Sequence, residues 1–179
     1  MKNIFFILFA ALIALSPLAP AVAQEKPAIA IVDVKKILND SLATKSIQTQ
    51  IEEKRKSVQT EISKQEEALR KTDQELSQQK SVLSPEAFDK KVNEFKTKVA
   101  EAQRNVQTKR SQLESSYADA LAEVEKVVIS IVTELSDKQG FSVAIPKSNA
   151  LYSKSSLDIS DQVLSTLNER LPKVKVKSK

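Results

Sequence analysis

The sequence predicts a mainly helical fold, in which one long antiparallel helical hairpin projects from a small body with short strands. Between Asp33 and Asp137 the chain contains no glycine and one proline, Pro85. Since glycine costs a helix interior about 1 kcal/mol and proline about 3 kcal/mol, both arms can run unbroken. Apolar residues recur along the arms at steps of three and four, and short apolar segments flank them on both sides.

The turn of the hairpin is predicted at residues 84–86. Ser84 suits the N-cap of the second arm, Pro85 its first helical position, and Glu86 the positive end of the helix dipole. The hairpin then spans residues 35–138. Each arm would contain about 45 to 50 residues and would reach on the order of 70 Å at 1.5 Å per residue.

The arms are predicted to pack as an antiparallel coiled coil. The first arm places Ile51, Val58, Ile62, Leu69, Leu76 and Leu83 on one seam, whose alternate positions become Gln65, Thr72 and Gln79. The returning arm continues the apolar pattern from Phe88 to Leu113, slips by one residue near Tyr117, and resumes from Leu121 to Leu135. A strongly apolar base and a polar, loosened outer half follow from this pattern.

A small body is predicted from both ends of the chain, over residues 24–34 and 139–171. Residues 28–34 form an apolar strand, Gly140 ends the second arm, and a strand begins at Phe141. A third strand is predicted around Leu151 and Tyr152, followed by a short helix capped within residues 158–161. The apolar strand positions are Ile29, Ile31, Val143 and Ile145. Because so thin a body leaves strand edges open, we expect these residues to mediate self-association.

The first 23 residues have the pattern of a cleavable export signal. A basic start at Lys2 precedes an apolar run, and the small residues Ala21-Val22-Ala23 follow it. We expect a mature chain that begins at Gln24, and the alternative is an uncleaved N-terminal anchor. The lysine-rich end, residues 172–179, is interpreted as a basic tail.

Composition excludes most catalytic chemistry. The chain has no His, no Cys, no Trp and one Gly, which removes imidazole bases, thiol nucleophiles, soft metal sites and glycine-rich phosphate loops. Adjacent carboxylates such as Glu52 and Glu53 point about 100° apart on a helix, so they indicate a solvated face. We therefore expect no enzymatic activity, no cofactor and no metal.

Charge is segregated between the tip half of the hairpin and the stretch that follows it. Residues 76–110 contain eight basic and four acidic side chains, whereas residues 111–136 contain one basic and five acidic side chains. Such a field would draw an anionic partner towards the tip. An ordinary solvated coiled-coil surface is the alternative.

Candidate binding residues lie just after the turn. The apolar candidates are Phe88, Val92, Phe95 and Val99, and the basic candidates are Lys90, Lys91, Lys96 and Lys98. A surface of many weak apolar and electrostatic contacts suits diverse unfolded chains better than a unique pocket. The alternative for the apolar residues is that they pack against the facing arm as core.

Several segments in a fixed order resemble one known family. They are the leader, the strand over residues 29–34, the Leu83-Ser84-Pro85-Glu86-Ala87-Phe88 break between long arms, Gly140-Phe141, Leu151-Tyr152, Leu157-Asp158-Ile159-Ser160, and Val163-Leu164 with Leu167-Asn168. Together they resemble the Skp/OmpH family over essentially the whole mature chain. The lysine-rich end is not regarded as part of the family pattern.

The resemblance implies a periplasmic holdase chaperone that works without ATP. Members form homotrimers, in which the bodies share a β-barrel and three hairpins project as tentacles around a cavity for unfolded outer-membrane β-barrel proteins. Expected partners are therefore these unfolded proteins and two further copies of the chain, with anionic lipid or lipopolysaccharide surfaces as a further possibility.

Two other classes of function are compatible with the residues. A nucleic-acid binder would use the basic composition, with a pI near 9.3. However, the net charge of +5 falls to +4 without Lys2, four lysines lie in the tail, and aromatic residues are scarce, so no nucleic acid is expected. A structural spacer or adaptor of the cell envelope would use the same coiled coil as a rigid rod.

Overall fold

The computed structural model describes residues 28–177. The elements, in chain order, are β1 (Ala28–Val32), α1 (Val34–Asp40), α2 (Leu42–Gln79), α3 (Pro85–Gln139), β2 (Phe141–Pro146), two 3-10 turns (Lys147–Asn149 and Ser155–Leu157) and α4 (Ser160–Arg170). The predicted export signal, residues 1–23, lies outside the described residues. The structure is mainly helical with one small sheet, in agreement with the predicted class.

Helices α2 and α3 form the predicted hairpin, but its arms are unequal. Helix α2 has 38 residues and α3 has 55, so they extend about 57 and 82 Å at 1.5 Å per residue. The predicted turn is confirmed, because the Ser84 hydroxyl accepts a hydrogen bond from the Ala87 N–H at 3.3 Å and Pro85 begins α3. At the other end of α3, Gly140 adopts the left-handed conformation with φ of 74°. Only a residue without a Cβ enters that conformation readily, so α3 ends there.

The first arm is broken at Ser41, which the sequence reasoning did not predict. Ser41 ends α1 in an extended conformation and begins α2, with its hydroxyl accepting from the Thr44 N–H at 3.2 Å. The Asn168 side chain of α4 accepts a hydrogen bond from the Leu42 N–H at 2.8 Å, which satisfies a second unpaired donor at this helix start. The break is therefore a capped junction, and α1 belongs to the base.

The sheet has two parallel strands, and the hairpin is the connection between them. β1 pairs with β2 from Ala28↔Phe141 to Val32↔Pro146, with a register shift after Ala28. The shift leaves Ser142 as an extra residue, so Phe141 is buried while Val143 is exposed, although both were predicted on one face.

The predicted third strand is wrong. Leu151 and Tyr152 lie in irregular chain and are almost fully exposed. The nearest equivalent is a single bridge between Ile31 and Asp158. Proline at 146 has no N–H to donate, and two 3-10 turns follow it, so the chain leaves the sheet and does not return as a strand.

The hydrophobic core lies at the base of the hairpin. Its buried members are Ala30, Val32, Ile37, Ala43, Ile47, Ile51, Ala120, Val124, Val128, Ile131, Phe141, Ile159, Val163, Leu167, Val174 and Val176. Every helix and both strands contribute to this cluster. The arms are therefore anchored by apolar packing at one end only.

The lysine-rich end does not behave as a free tail. Residues 173–177, here called the strap, pack against the base with Val174 and Val176 only 2% and 4% exposed. The Gln50 side chain donates to the Val174 carbonyl oxygen at 2.7 Å and accepts from the Val176 N–H at 3.0 Å. The sequence signal for this contact was the alternation Lys-Val-Lys-Val-Lys, which has the period of an extended strand.

A cluster of hydrogen bonds and one ion pair joins the start of α4 to the sheet. The Asp158 carboxylate accepts from the Lys147 ammonium at 2.8 Å, from the Ser160 N–H at 3.0 Å and from the Ser160 hydroxyl. The Ser160 hydroxyl oxygen in turn accepts from the Asp33 N–H at 2.7 Å. These hydrogen bonds from Lys147 and Ser160 lower the pKa of Asp158 from 3.8 to about 2.

Replacement of Asp158 by Asn is expected to lower the free energy of unfolding by about 1–2 kcal/mol at neutral pH, after allowance for the half-exposed lysine partner. Because the folded pKa lies below the unfolded value, this stabilisation is present above about pH 4 and is lost as the pH falls through about 2. Urea unfolding from pH 7 to pH 2 would measure it. Asp137→Asn, at an exposed position, is the control, and a wild-type advantage over Asp158→Asn that persists unchanged at low pH would contradict this account.

Candidate functional site

The outer half of the hairpin, residues 76–110, comprises the end of α2, the turn and the first part of α3, and it has an incompletely buried seam. Within that range only Leu76 and Ala102 are buried. The four apolar candidates, Phe88, Val92, Phe95 and Val99, are all half-buried. The structure therefore places them on the seam, where each contributes packing to the facing arm and leaves part of its side chain accessible.

Polar contacts between the arms replace apolar packing in this half. The Lys91 ammonium donates to the Gln79 side-chain oxygen at 2.7 Å, and the Asn105 amide donates to Gln65 at 3.3 Å. Closer to the base, Lys109 pairs with Glu61 at 2.8 Å. An exposed ion pair contributes about 0–1 kcal/mol, far less than a buried large apolar side chain. The outer half is consequently held together more weakly than the base.

The four basic candidates have different surroundings. Lys90, Lys96 and Lys98 are exposed, whereas Lys91 is engaged with Gln79 across the seam. Lys98 and Phe95 border the same shallow depression of about 200 Å³, together with Leu76 and Gln79. Lys91 also borders this depression, so the structure brings one apolar and two basic candidates together. It spreads the others over about 16 Å of helix.

One tip residue was missed by the sequence reasoning. Val82, between the two arms, has 80% of its surface exposed. It interrupts neither helix and belongs to no heptad pattern, so only its position beside the turn could have indicated it. An exposed apolar side chain at the extreme tip, two residues after exposed Lys80, adds to the mixed apolar and basic character of this end.

The four body candidates do not form one surface. Ile29 and Val143 are cross-strand neighbours and are 41% and 47% exposed. Ile31 is 3% exposed within its own chain, and Ile145 is half-buried. Ile29 and Val143 therefore offer the most surface to a partner, and exposed Leu151 and Tyr152 add apolar area to the body.

Residues 28–177 contain no helix that combines the length and apolarity needed to cross a membrane. In the same range, no group of three or more acidic, His or Cys side chains is arranged to bind a metal ion. Four depressions in this part of the chain lie along the seam between α2 and α3 or beside the strap, and another is lined by polar residues of α2 alone. The outer seam with its exposed lysines is accordingly the best candidate for a binding surface.

Residues 28–167 match the family model described as outer membrane protein (OmpH-like). The fold is similar to that of a protein from Caulobacter crescentus CB15, described as a candidate outer membrane chaperone (OmpH-like), with a TM-score of 0.78 and 19% sequence identity. That similarity covers 86% of this chain and 91% of the other, and at this identity it shows the fold alone. No curated protein sequence matches the chain.

Proposed function

Since the chain belongs to the OmpH-like family, we propose that it is an ATP-independent holdase chaperone, which binds unfolded outer-membrane β-barrel proteins in the periplasm and delivers them towards outer-membrane assembly. Family membership confirms the resemblance drawn from the sequence. The observation that carries the proposal is the outer hairpin, where a half-buried apolar seam lies beside exposed lysines. The predicted export signal at residues 1–23 supports a periplasmic location.

The surface suits a holdase because it offers many weak contacts without a defined pocket. Exposed parts of Phe88, Val92, Phe95 and Val99 supply apolar contacts over a long helix face, and the weakly held seam allows small adjustments. Such surfaces accept diverse chains, whereas a shaped pocket selects one. Lysines nearby would attract anionic segments before the apolar contacts form.

We further propose that three copies assemble through their bodies. The two-stranded sheet leaves edges open, and Ile29 and Val143 expose apolar surface beside them. A closed ring of three would cover these edges and would place three tips around one client. Because each bound contact raises the local concentration of the next, weak individual affinities become useful retention.

The central test is the aggregation of an outer-membrane β-barrel protein diluted from urea, followed by light scattering with and without the purified mature chain. A holdase is expected to suppress scattering in proportion to its own concentration and without any nucleotide. A spacer or adaptor of the envelope would leave scattering unchanged. That result would reject the proposed function.

Lys90→Gln, Lys96→Gln and Lys98→Gln combined are expected to slow client capture at low salt by about tenfold, because steering acts on association. Release should change little. Stopped-flow capture at low and high salt measures this effect. Lys91 is left unchanged because it contacts Gln79, and Lys91→Gln alone serves as a separate control for the seam. Equal capture rates for wild type and triple variant at low salt would show that these lysines do not steer.

Ile29→Glu with Val143→Glu is expected to convert a trimer into monomers without loss of helix, because both side chains are exposed in the single chain and would face a partner. Size-exclusion chromatography with light scattering gives the mass, and circular dichroism gives the helix content. Ser142→Glu, at an exposed position on the same strand, is the control.

Ile31→Asp is a different experiment, since Ile31 is buried within its own chain and its replacement tests folding rather than assembly. For the trimer itself, a wild-type mass of one chain at micromolar concentration would contradict the proposal. A trimeric mass of the variant with Ile29→Glu and Val143→Glu would show that these two residues do not form the interface.

A further inference from the structure

The strap occupies a groove at the base of the hairpin in a strand-like manner. Val174 and Val176 point into the base and are buried, while Lys173, Lys175 and Lys177 are exposed. The valines share one buried cluster with Ile47 and Ile51 of α2 and with Ala120 and Val124 of α3. An extended segment with alternating apolar residues is therefore what this groove accommodates.

The groove recognises the backbone of its occupant. The Gln50 amide donates to the carbonyl oxygen of Val174 and accepts from the N–H of Val176, so one side chain pairs with the main chain as a neighbouring strand would. The same amide nitrogen lies 3.1 Å from the Ser46 carbonyl oxygen, which orients the side chain. A backbone-directed contact does not depend on which side chains the occupant carries.

Room for the occupant comes from small side chains on α3. Ser116 and Ala120 are buried beside the point where the heptad pattern slips, and both border the depression that Lys175 and Lys177 also line. A slip of this kind locally unwinds the coiled coil. Two large side chains at these positions would fill the space that the strap uses.

Charge around the groove is acidic on balance. Besides the strap residues Lys175 and Lys177, the charged residues that line the depression are Asp119, Glu123 and one basic residue, Lys126. They belong to the stretch of α3, residues 111–136, that contains five acidic side chains and one basic side chain. An occupant with basic or neutral residues between its apolar ones is favoured over one with acidic residues.

We propose that this groove is a docking site for one extended segment of an unfolded transmembrane β-strand, and that the strap occupies the site in cis as a surrogate for such a segment. Transmembrane β-strands alternate apolar and polar residues over about ten positions. The strap has the same alternation over its five residues, 173–177. The strap also lies beyond residues 28–167, the part that matches the family. The inference rests on the proposed function, because that function supplies the class of partner.

A competitor tethered to the same chain reduces the apparent affinity for any other occupant, since only molecules with an empty groove can bind. Release of the strap should therefore raise the affinity for a separate strand-like peptide. The full mature chain carrying Val174→Ser and Val176→Ser removes the apolar anchors of the strap and leaves the groove intact. Lys173→Ser changes an outward side chain that does not line the acidic depression and is the matched control.

The probe is a fluorescent peptide that copies residues 171–178, and its binding is measured by fluorescence anisotropy. The double valine variant is expected to bind the probe about tenfold or more tightly than the wild type, and the lysine control is expected to remain close to the wild type. A peptide of the same composition with its two valines adjacent should bind weakly. A peptide with glutamate in place of each lysine should also bind weakly, because of Asp119 and Glu123.

Gln50→Leu added to the double valine variant should abolish the gain, since it removes both hydrogen bonds to the occupant backbone. Circular dichroism of each variant confirms that the helices persist. The absence of tighter binding in a folded double valine variant would overturn the proposal, and so would equal binding of the peptide with adjacent valines. The proposal would also be overturned if the probe bound only to protein dimers in which two chains exchange their straps.

The last measurement is displacement of the bound probe by an unfolded outer-membrane β-barrel protein, which is diluted from urea into the sample. Displacement in the double valine variant supports the site, and failure of displacement overturns it. Suppression of aggregation by the same preparation reports the proposed function separately. A chain that suppresses aggregation but neither binds the probe nor exchanges it would support the holdase function and would reject the groove as a binding site.

Discussion

The parallel pairing of β1 with β2 is the constraint on which the rest of the structure depends. Two parallel neighbours cannot be joined by a tight turn, so the chain between Val32 and Phe141 must leave the sheet and return to the edge from which it started. Here the connection is the whole hairpin. Closure of the sheet therefore fixes the base of both arms at one place, and the buried cluster around Ile47, Val124 and Leu167 forms there.

Stability and binding capacity are separated along the hairpin. At the base, large side chains such as Ile37, Ile131 and Leu167 are completely or almost completely buried, and each contributes on the order of 1.5–3 kcal/mol from removal of apolar surface. In the outer half, hydrogen bonds such as Lys91 to Gln79 replace that burial. Half-buried apolar surface at the tips is therefore separate from the contacts on which the fold depends.

Much of the fold could be predicted because its determinants are local. The absence of glycine, the cap at Ser84 and the left-handed Gly140 each act within one turn of chain, and the structure shows all three effects. The break at Ser41 was missed because its second cap comes from Asn168, far along the sequence. The prediction of a third strand was wrong for a related reason. A strand needs a partner strand at the right register, and no local pattern specifies that partner.

The candidate site shows the same limit. Helical spacing placed Phe88, Val92, Phe95 and Val99 on one face, but the facing arm determines how much of each is accessible. Ile31 was grouped with Ile29 by strand alternation, yet packing within the chain buries one and exposes the other. The strap was read by composition as a basic tail, although its alternation carried the signal for Val174 and Val176 as inward residues.

The two arms transmit force differently. Helix α3 is continuous from Pro85 to Gln139 and is followed after Gly140 by β2, so one unbroken helix connects the tip to the sheet. Helix α2 begins after Ser41, which is extended, and its Leu42 N–H donates a hydrogen bond to the Asn168 side chain of the base. A load at the tip therefore reaches the sheet directly through α3, whereas α2 passes it to the base through the packing of Ala43, Ile47 and Ile51. Separation of the two arms would start in the outer half, beyond this buried cluster.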